Sequence, residues 1–300
     1  TLGATDLILT DKTGTLTESR MTVTELALSD GQVEVTGTGM DLEGEFLVDQ
    51  EPIDPREDAL VRTLLEIGIF ANRASTELED IEEDDQSVGD PLEIAILVAG
   101  RKVGIEANTL FEESPQVKEK AFDPGLNMMA SYNRDGEKVR ISVKGAPEAV
   151  LESSTRTLTR DGVVNLDEQT RETWMERNRE LAADGLRVIG FAQKLVEDGG
   201  AEAYSDLIFV GLAGLLDPSR EDVKDAILAC KNAGIRVVMV TGDHPVTAEK
   251  IAGEVGLIGH DGFRVIKGEE LENPEEMSEE EREKALEAIV TARVSPKQKL

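Results

Sequence analysis

The chain has 300 residues, more than a typical single domain, so two domains are expected. Hydrophobic residues make up 39% of it, enough to fill real cores, which sets global disorder aside. A formal net charge of −30 argues against nucleic acid as a partner, because the phosphate backbone would be repelled.

From the N-terminus, the apolar run at residues 5–10 reads as a strand buried on both faces, ending at Asp11. A different pattern follows. "MTVTELAL", "GQVEVTGTGM", "EGEFLVD", "NMMASYNRDGEKVRISVKG", "GLRVIGFAQKLV" and "DLIFVGLAGLL" read as strands, with "NRDGEK" as a hairpin turn. Helices are expected over 57–71, 90–101, 146–153 and 168–183. Towards the C-terminus, Val223, Ala226, Ile227 and Cys230 mark a helical period that stops at Gly234. Ile235 to Val240 is a second buried strand, and Pro245 opens another helix, which makes a parallel-sheet α/β unit. The expected organisation is therefore an α/β domain (1–20 and 213–300) interrupted by an inserted α+β domain (21–212) with an antiparallel sheet.

Several features stay bland. No apolar run approaches the roughly eighteen residues needed to span a bilayer, and the N-terminus offers no signal peptide, so a soluble piece is expected. Cys230 is the single cysteine and reads as a packed thiol on a helix face. The acidic stretch at 77–86 fits no EF-hand spacing, and "EEMSEEEREKALEA" reads as an exposed helix. His244 and His260 have no partners at metal-ligand spacing.

The chemistry begins at Asp11. A carboxylate at the carboxyl end of a buried parallel strand stands where open α/β sheets place their ligands. It is an anionic nucleophile that needs no base, and the small residues after it let backbone N–H groups approach a phosphate. On its own, the same pattern is also that of an aspartate capping a turn.

The heptapeptide Asp11-Lys12-Thr13-Gly14-Thr15-Leu16-Thr17 resembles the phosphorylation motif of P-type ATPases. "KGAPE" (Lys144–Glu148), "DPSR" (Asp217–Arg220), "TGD" (Thr241–Asp243) and "RVSPKQK" (Arg293–Lys299) are similar to further motifs of that family, in its order. "VGDPLEIAIL" resembles a helix start in its nucleotide-binding domain, and the style is closest to the calcium, sodium–potassium and proton pumps.

The resemblance implies a phosphorylation (P) domain of haloacid-dehalogenase type, incomplete in this chain, split by a nucleotide-binding (N) domain. It implies that Asp11 attacks the γ-phosphate of ATP to form an aspartyl phosphate. Mg²⁺ would be held partly by Asp11 and the backbone carbonyl of Thr13. It places Lys12, Thr241, Gly242, Asp243 and Lys299 in the same machinery, with Thr241 and Gly242 on the phosphoryl oxygens and Lys299 neutralising them. For the nucleotide, it assigns Phe122 to stacking on adenine, Lys144 and Gly145 to the base pocket, and Glu93 to the base. Arg187 and Arg293 would reach phosphates or ribose. Each has a plain alternative: Phe122 as core, Lys144 as a solvated strand end, Arg187 as a surface charge, and the "TGD" as an ordinary turn. Asp217-Pro218 looks like a hinge between the domains.

The pattern departs from the family after Phe122, where Pro124 and Asn127 stand in place of basic residues. Losing one charge-assisted contact weakens binding by about 1.5–3 kcal/mol, roughly ten- to a hundredfold. A "TGDGVND"-like segment is expected soon after Lys299, and membrane-spanning helices and an actuator domain elsewhere in a longer parent pump at the cytoplasmic face of a membrane. The piece itself is expected to be monomeric. Two other readings stand beside the pump fragment: an inactive nucleotide-binding module, and a free-standing phosphatase of the dehalogenase superfamily. The latter ordinarily carries a second Asp two residues after the nucleophile, where this chain has Thr13.

Arg outnumbers Lys in this acidic composition, which is a pattern of salt-adapted proteins. If that is its meaning, resistance to urea rises steeply as KCl is raised and self-repulsion is screened. A flat response to KCl removes salt adaptation as the explanation.

Overall fold

The computed structural model describes residues 5–18, 20–37, 39–74, 89–220, 222–242, 245–258, 265–271, and 278–294 without 280, 281, 283, 284 and 286. The chain divides into two compact units. One comprises Thr1–Ser19, Ala183–Leu186 and Asp217–Leu300; the other comprises Arg20–Ala182 and Arg187–Leu216.

The first unit is built on a parallel sheet. Its strands are β1 (Leu7–Asp11), β13 (Arg236–Val240), β14 (Val265–Lys267) and β15 (Val290–Ala292), in the order β1-β13-β15-β14. Every pairing is parallel, and the register sets Asp11 opposite Val240 and Val240 opposite Thr291. Helices α6 (Val223–Asn232) and α7 (Pro245–Glu254) pack on it through Val223, Ile227, Ala248, Ile251 and Ala252, with Cys230 partly buried against the same cluster. The expectation that the first strand is buried on both faces is not met. Leu7 and Leu9 are 47% and 66% exposed, while Ile8 packs inward. Among the described residues, β1 meets the core cluster of its unit through Ile8, while the side chains of Leu7 and Leu9 stand outside it.

The second unit holds an eleven-stranded sheet. In chain order its strands are β2 (Thr22–Leu28), β3 (Gly31–Val35), β4 (Phe46–Val48), β5 (Glu51–Ile53), β6 (Gln116–Asp123), β7 (Met128–Asp135), β8 (Lys138–Gly145), β9 (Ser154–Thr159), β10 (Gly162–Asn165), β11 (Arg187–Val196) and β12 (Leu207–Leu216). The main path runs β5-β4-β3-β2-β12-β11-β8-β7-β6, antiparallel throughout, with β9 joining β12 in parallel and β10 joining β9. Helices α1 (Ala59–Phe70) and α2 (Pro91–Lys102) cover one face through an apolar cluster that includes Leu64, Ile67, Ile96 and Phe191. Both helices start at an aspartate whose side chain caps the first turn: Asp58 accepts from Leu60 and Val61, and Asp90 accepts from Leu92.

The opposite face carries α4 (Pro147–Glu152) and α5 (Glu168–Ala183). Gly190 points towards Pro147, while its neighbour Phe191 points towards Gly68 of α1, as the strand's alternation requires. Trp174 of α5 meets Phe209 edge-on, with ring centroids 4.9 Å apart.

Departures from the sequence expectation share a cause, which is polarity. Helix α3 (Ala107–Glu113) has no buried residue, so no apolar period marks it. Strand β6 is exposed along most of its length and carries charges where alternation would show. Strands β5, β9 and β10 are short or polar, and only 31–35 of "GQVEVTGTGM" is strand. The unit boundary falls at 216/217 rather than 212/213, because β12 continues to Leu216 in register with β2. The acidic stretch at 77–86 lies outside the described residues, as does much of the 275–288 segment.

At Gly68, a Cβ would come within 2.6 Å of Ile96 Cγ2 and 3.1 Å of Phe191. Gly68→Ala is therefore expected to destabilise the protein by about 1–3 kcal/mol through overpacking, despite alanine's better helix propensity. Urea titration would register it; a stabilised variant would show that α1 can shift freely.

Candidate functional site

Two groups of residues emerge, one in each unit. In the parallel-sheet unit, Asp11 ends β1, exposed, and the chain turns at once through Lys12–Leu16. Thr13 is extended (φ −72°, ψ 124°) and Gly14 left-handed (φ 76°), so the turn is not a regular helix. Thr241 follows β13 at the same end of the sheet, since Val240 is the partner of Asp11. Thr241 is buried, with its N–H donating to Thr291 O at 2.9 Å and its carbonyl accepting from Val294 N at 3.0 Å. Gly242 after it is exposed, and Arg293 stands exposed beyond β15 with φ 55°. The carboxyl ends of three parallel strands thus gather Asp11, Thr241, Gly242 and Arg293. Asp243 and Lys299 lie outside the described residues, as do His244 and His260.

Lys12 is buried, with its Nζ 3.8 Å from Asp217 Oδ2. That same oxygen accepts from Thr17 Oγ1 at 2.6 Å, and Thr17 Oγ1 accepts from the Gly14 N–H at 3.3 Å. Arg220 closes the turn from the other side, donating to Thr17 O at 3.2 Å and Gly14 O at 3.1 Å. Glu18 N donates to Pro218 O and Arg220 N to Leu16 O, both at 3.0 Å. The "DPSR" segment therefore holds the Asp11 turn in shape. Sequence reading saw a hinge there and missed the Asp217–Lys12–Thr17 linkage, whose only signal is an acid directly after a long apolar strand.

In the antiparallel unit, Lys144 and Glu93 come together. Lys144 Nζ donates to Glu93 Oε1 at 2.9 Å, with side chains 6% and 13% exposed. Lys144 is thus no solvated strand end. Burial pulls its pKa below the ordinary lysine value, while Glu93 and, further off, Asp90 oppose that shift. Glu93 sits in the first turn of α2 and its Oε2 accepts from the Arg73 N–H at 3.1 Å.

Gly145 permits a close approach: a Cβ there would lie 2.3 Å from Asn127 O, which accepts from Ala146 N at 2.9 Å. Phe122 is 54% exposed, so it is not core. Ala121 and Phe122 together oppose Met129, which is itself the partner of Lys144 on β8. After it, Asp123 O accepts from Leu126 N and Asn127 N, which tightens the turn holding Pro124 and leaves Leu126 half exposed. Arg187 is exposed at the start of β11, three residues before Gly190, the partner of Gly145.

Residues 60–222 match the family described as P-type ATPase, cytoplasmic domain N. The whole chain aligns with the calcium-transporting ATPase 1 of Lactococcus lactis at 34% identity, covering 32% of that protein. It is 34% identical to the calcium-transporting ATPase of Bacillus subtilis, covering 34% of it. It is also 35% identical to the cation-transporting ATPase pma1 of Synechocystis, covering 33% of it. The chain spans about a third of the length of these relatives.

A lysine with a lowered pKa binds one proton fewer in the folded chain over the window between its folded value and 10.5. Stability therefore rises with pH across that window and falls as pH drops through the folded value. Glu93→Gln removes the nearest opposing charge and extends the window to lower pH. Lys144→Met abolishes this part of the slope, and urea unfolding from pH 7 to 10 would measure it.

With the matched domain, the buried Lys144–Glu93 pair and relatives aligned over its full length, this chain belongs to the P-type ATPases and carries their cytoplasmic N domain.

Proposed function

We propose that this chain is the nucleotide-binding and phosphate-accepting part of a cation-transporting ATPase. The antiparallel unit holds the nucleotide; the parallel-sheet unit, read as a haloacid-dehalogenase-type P domain, presents Asp11. The observation that carries the reading is the position of Asp11, at the carboxyl edge of a parallel sheet and level with the Thr241-Gly242 turn. A carboxylate oxygen of Asp11 attacks the γ-phosphorus of ATP. The new O–P bond forms as the bond to the β-phosphate oxygen breaks, and ADP leaves with that electron pair. Thr13 stands where a phosphatase of the dehalogenase superfamily carries its acid–base aspartate, which favours a persistent intermediate over rapid hydrolysis.

The donor set at the turn is all oxygen, the Asp11 carboxylate and backbone carbonyls, and suits a hard cation such as Mg²⁺. Asp11 and the Thr13 carbonyl would hold it, and bound there it neutralises phosphoryl oxygens so that one anion can approach another. Thr241 and Gly242 orient those oxygens, with Asp243 and Lys299 assigned to the same task. Lys12 works through the turn: its pair with Asp217 fixes the backbone on which Asp11 stands.

In the antiparallel unit, the exposed Phe122 ring offers a stacking surface, and Lys144 with Glu93 offers a donor and an acceptor to the edge of the base. Gly145 lets the backbone of Asn127 pack closely beside Lys144, and Arg187 supplies charge for phosphates; in the parallel-sheet unit Arg293 is assigned the same task. In the intact pump, the phosphorylated Asp11 drives cation transport, with membrane-spanning and actuator domains as partners at the cytoplasmic face.

The test is incubation with Mg²⁺ and ATP radiolabelled in its γ-phosphate. Acid-stable, hydroxylamine-sensitive label in the wild type and none in Asp11→Asn is the expected result. ATP binding without any label would reduce the chain to a nucleotide-binding module.

A further inference from the structure

Phe122 stands on an edge strand. Among the described residues β6 pairs with β7 alone, and its register breaks twice, between Gln116 and Lys118 and again between Lys120 and Asp123. A strand held from one side and bulged at the residue of interest does not fix that residue by backbone pairing alone.

Arg73 provides the additional constraint. Its Nε approaches Glu119 Oε1 at 2.9 Å, in the uninterrupted stretch between the two bulges. Glu119 stands opposite Ser131, and Ser131 opposite Ser142, two residues from Lys144 on the same face of the sheet. Glu119 Oε1 is buried and takes no hydrogen bond among the described residues, so the Arg73 guanidinium, on a side chain 60% exposed, offsets it as a charge. The backbone N–H of the same Arg73 donates to Glu93 Oε2 at 3.1 Å, and the neighbouring Asn72 Nδ2 donates to Glu93 O at 2.9 Å. One residue thus touches both the carboxylate paired with Lys144 and the strand that carries the exposed aromatic ring.

We propose that Arg73 is a positioning residue that, through Glu119, sets the gap between Phe122 and the Lys144–Glu93 pair and thereby the affinity for a purine nucleotide. This rests on the reading of Phe122, Lys144 and Glu93 as the base site. The chain lacks basic side chains at Pro124 and Asn127, so the width and rigidity of the base pocket carry more of the binding.

The experiment is calorimetric ATP titration of the whole chain, with thermal unfolding as a check on folding. Arg73→Gln and Glu119→Gln are each expected to weaken ATP about two- to fivefold, the range that a partly exposed ion pair yields. The charge-swapped Arg73→Glu/Glu119→Arg double variant restores the wild-type affinity, and in a Phe122→Ala background Arg73→Gln changes nothing further.

Loss in Arg73→Gln without loss in Glu119→Gln would point to direct contact with the nucleotide and overturn the positioning role. Failure of the swap, or additivity with Phe122→Ala, overturns it equally. If Phe122→Ala and Lys144→Ala weaken ATP while both glutamine variants bind normally, the base site stands and Arg73 has no part in it. If Phe122→Ala and Lys144→Ala bind ATP as the wild type does, the base site itself is wrong and the role of Arg73 falls with it.

Discussion

The architecture depends on one pairing, that of β2 with β12. Leu212–Leu216 lies antiparallel to Thr22–Ala27, so the chain leaves for the inserted unit and returns from it side by side. Within the parallel-sheet unit, Thr17 and Ser219 form a bridge of their own, flanked by the Glu18–Pro218 and Arg220–Leu16 hydrogen bonds. Loop-closure entropy grows only with the logarithm of length, so a long insertion with adjacent ends costs little more than a short one.

Asp217 shows how the clamp and the chemistry share parts. It is the first residue after β12, and its carboxylate meets both Lys12 and Thr17 within the turn that follows Asp11. A buried lysine so placed is stable only while its counter-ion stays, because an unpaired buried charge is far costlier than a paired one. The shape of the Asp11 turn is thus tied to where the chain re-enters the sheet. The Lys144–Glu93 pair follows the same rule, a cation retained in the interior by a carboxylate from the first turn of a helix.

What could be read in the sequence follows from what leaves a pattern. Buried helices and strands do: α1, α2, β11 and β12 fall within a few residues of expectation, as does the more exposed α5. For the residues singled out through motifs, the partners are not visible in the sequence. Nothing in "DKTGTLT" says that Lys12 turns to Asp217, since the two are 205 residues apart in sequence and meet only once the chain has folded. Arg73 was invisible for a different reason. It is a single exposed arginine in a loop, without periodicity, and its meaning comes from Glu119 on a polar edge strand that itself carries no hydrophobic alternation. Polar edge elements such as β6 and α3 are legible only after the strands beside them are placed.

The core of the inserted unit has a practical corollary. The chain's single tryptophan, Trp174, is fully within that unit, wedged against Phe209, and its single cysteine, Cys230, sits in the other unit. Intrinsic fluorescence therefore reports on one unit, and thiol labelling with a chromophoric reagent reports on the other. The molecule comes with two orthogonal reporters, one optical and one chemical, so the order in which its halves lose structure can be followed in the unmodified sequence.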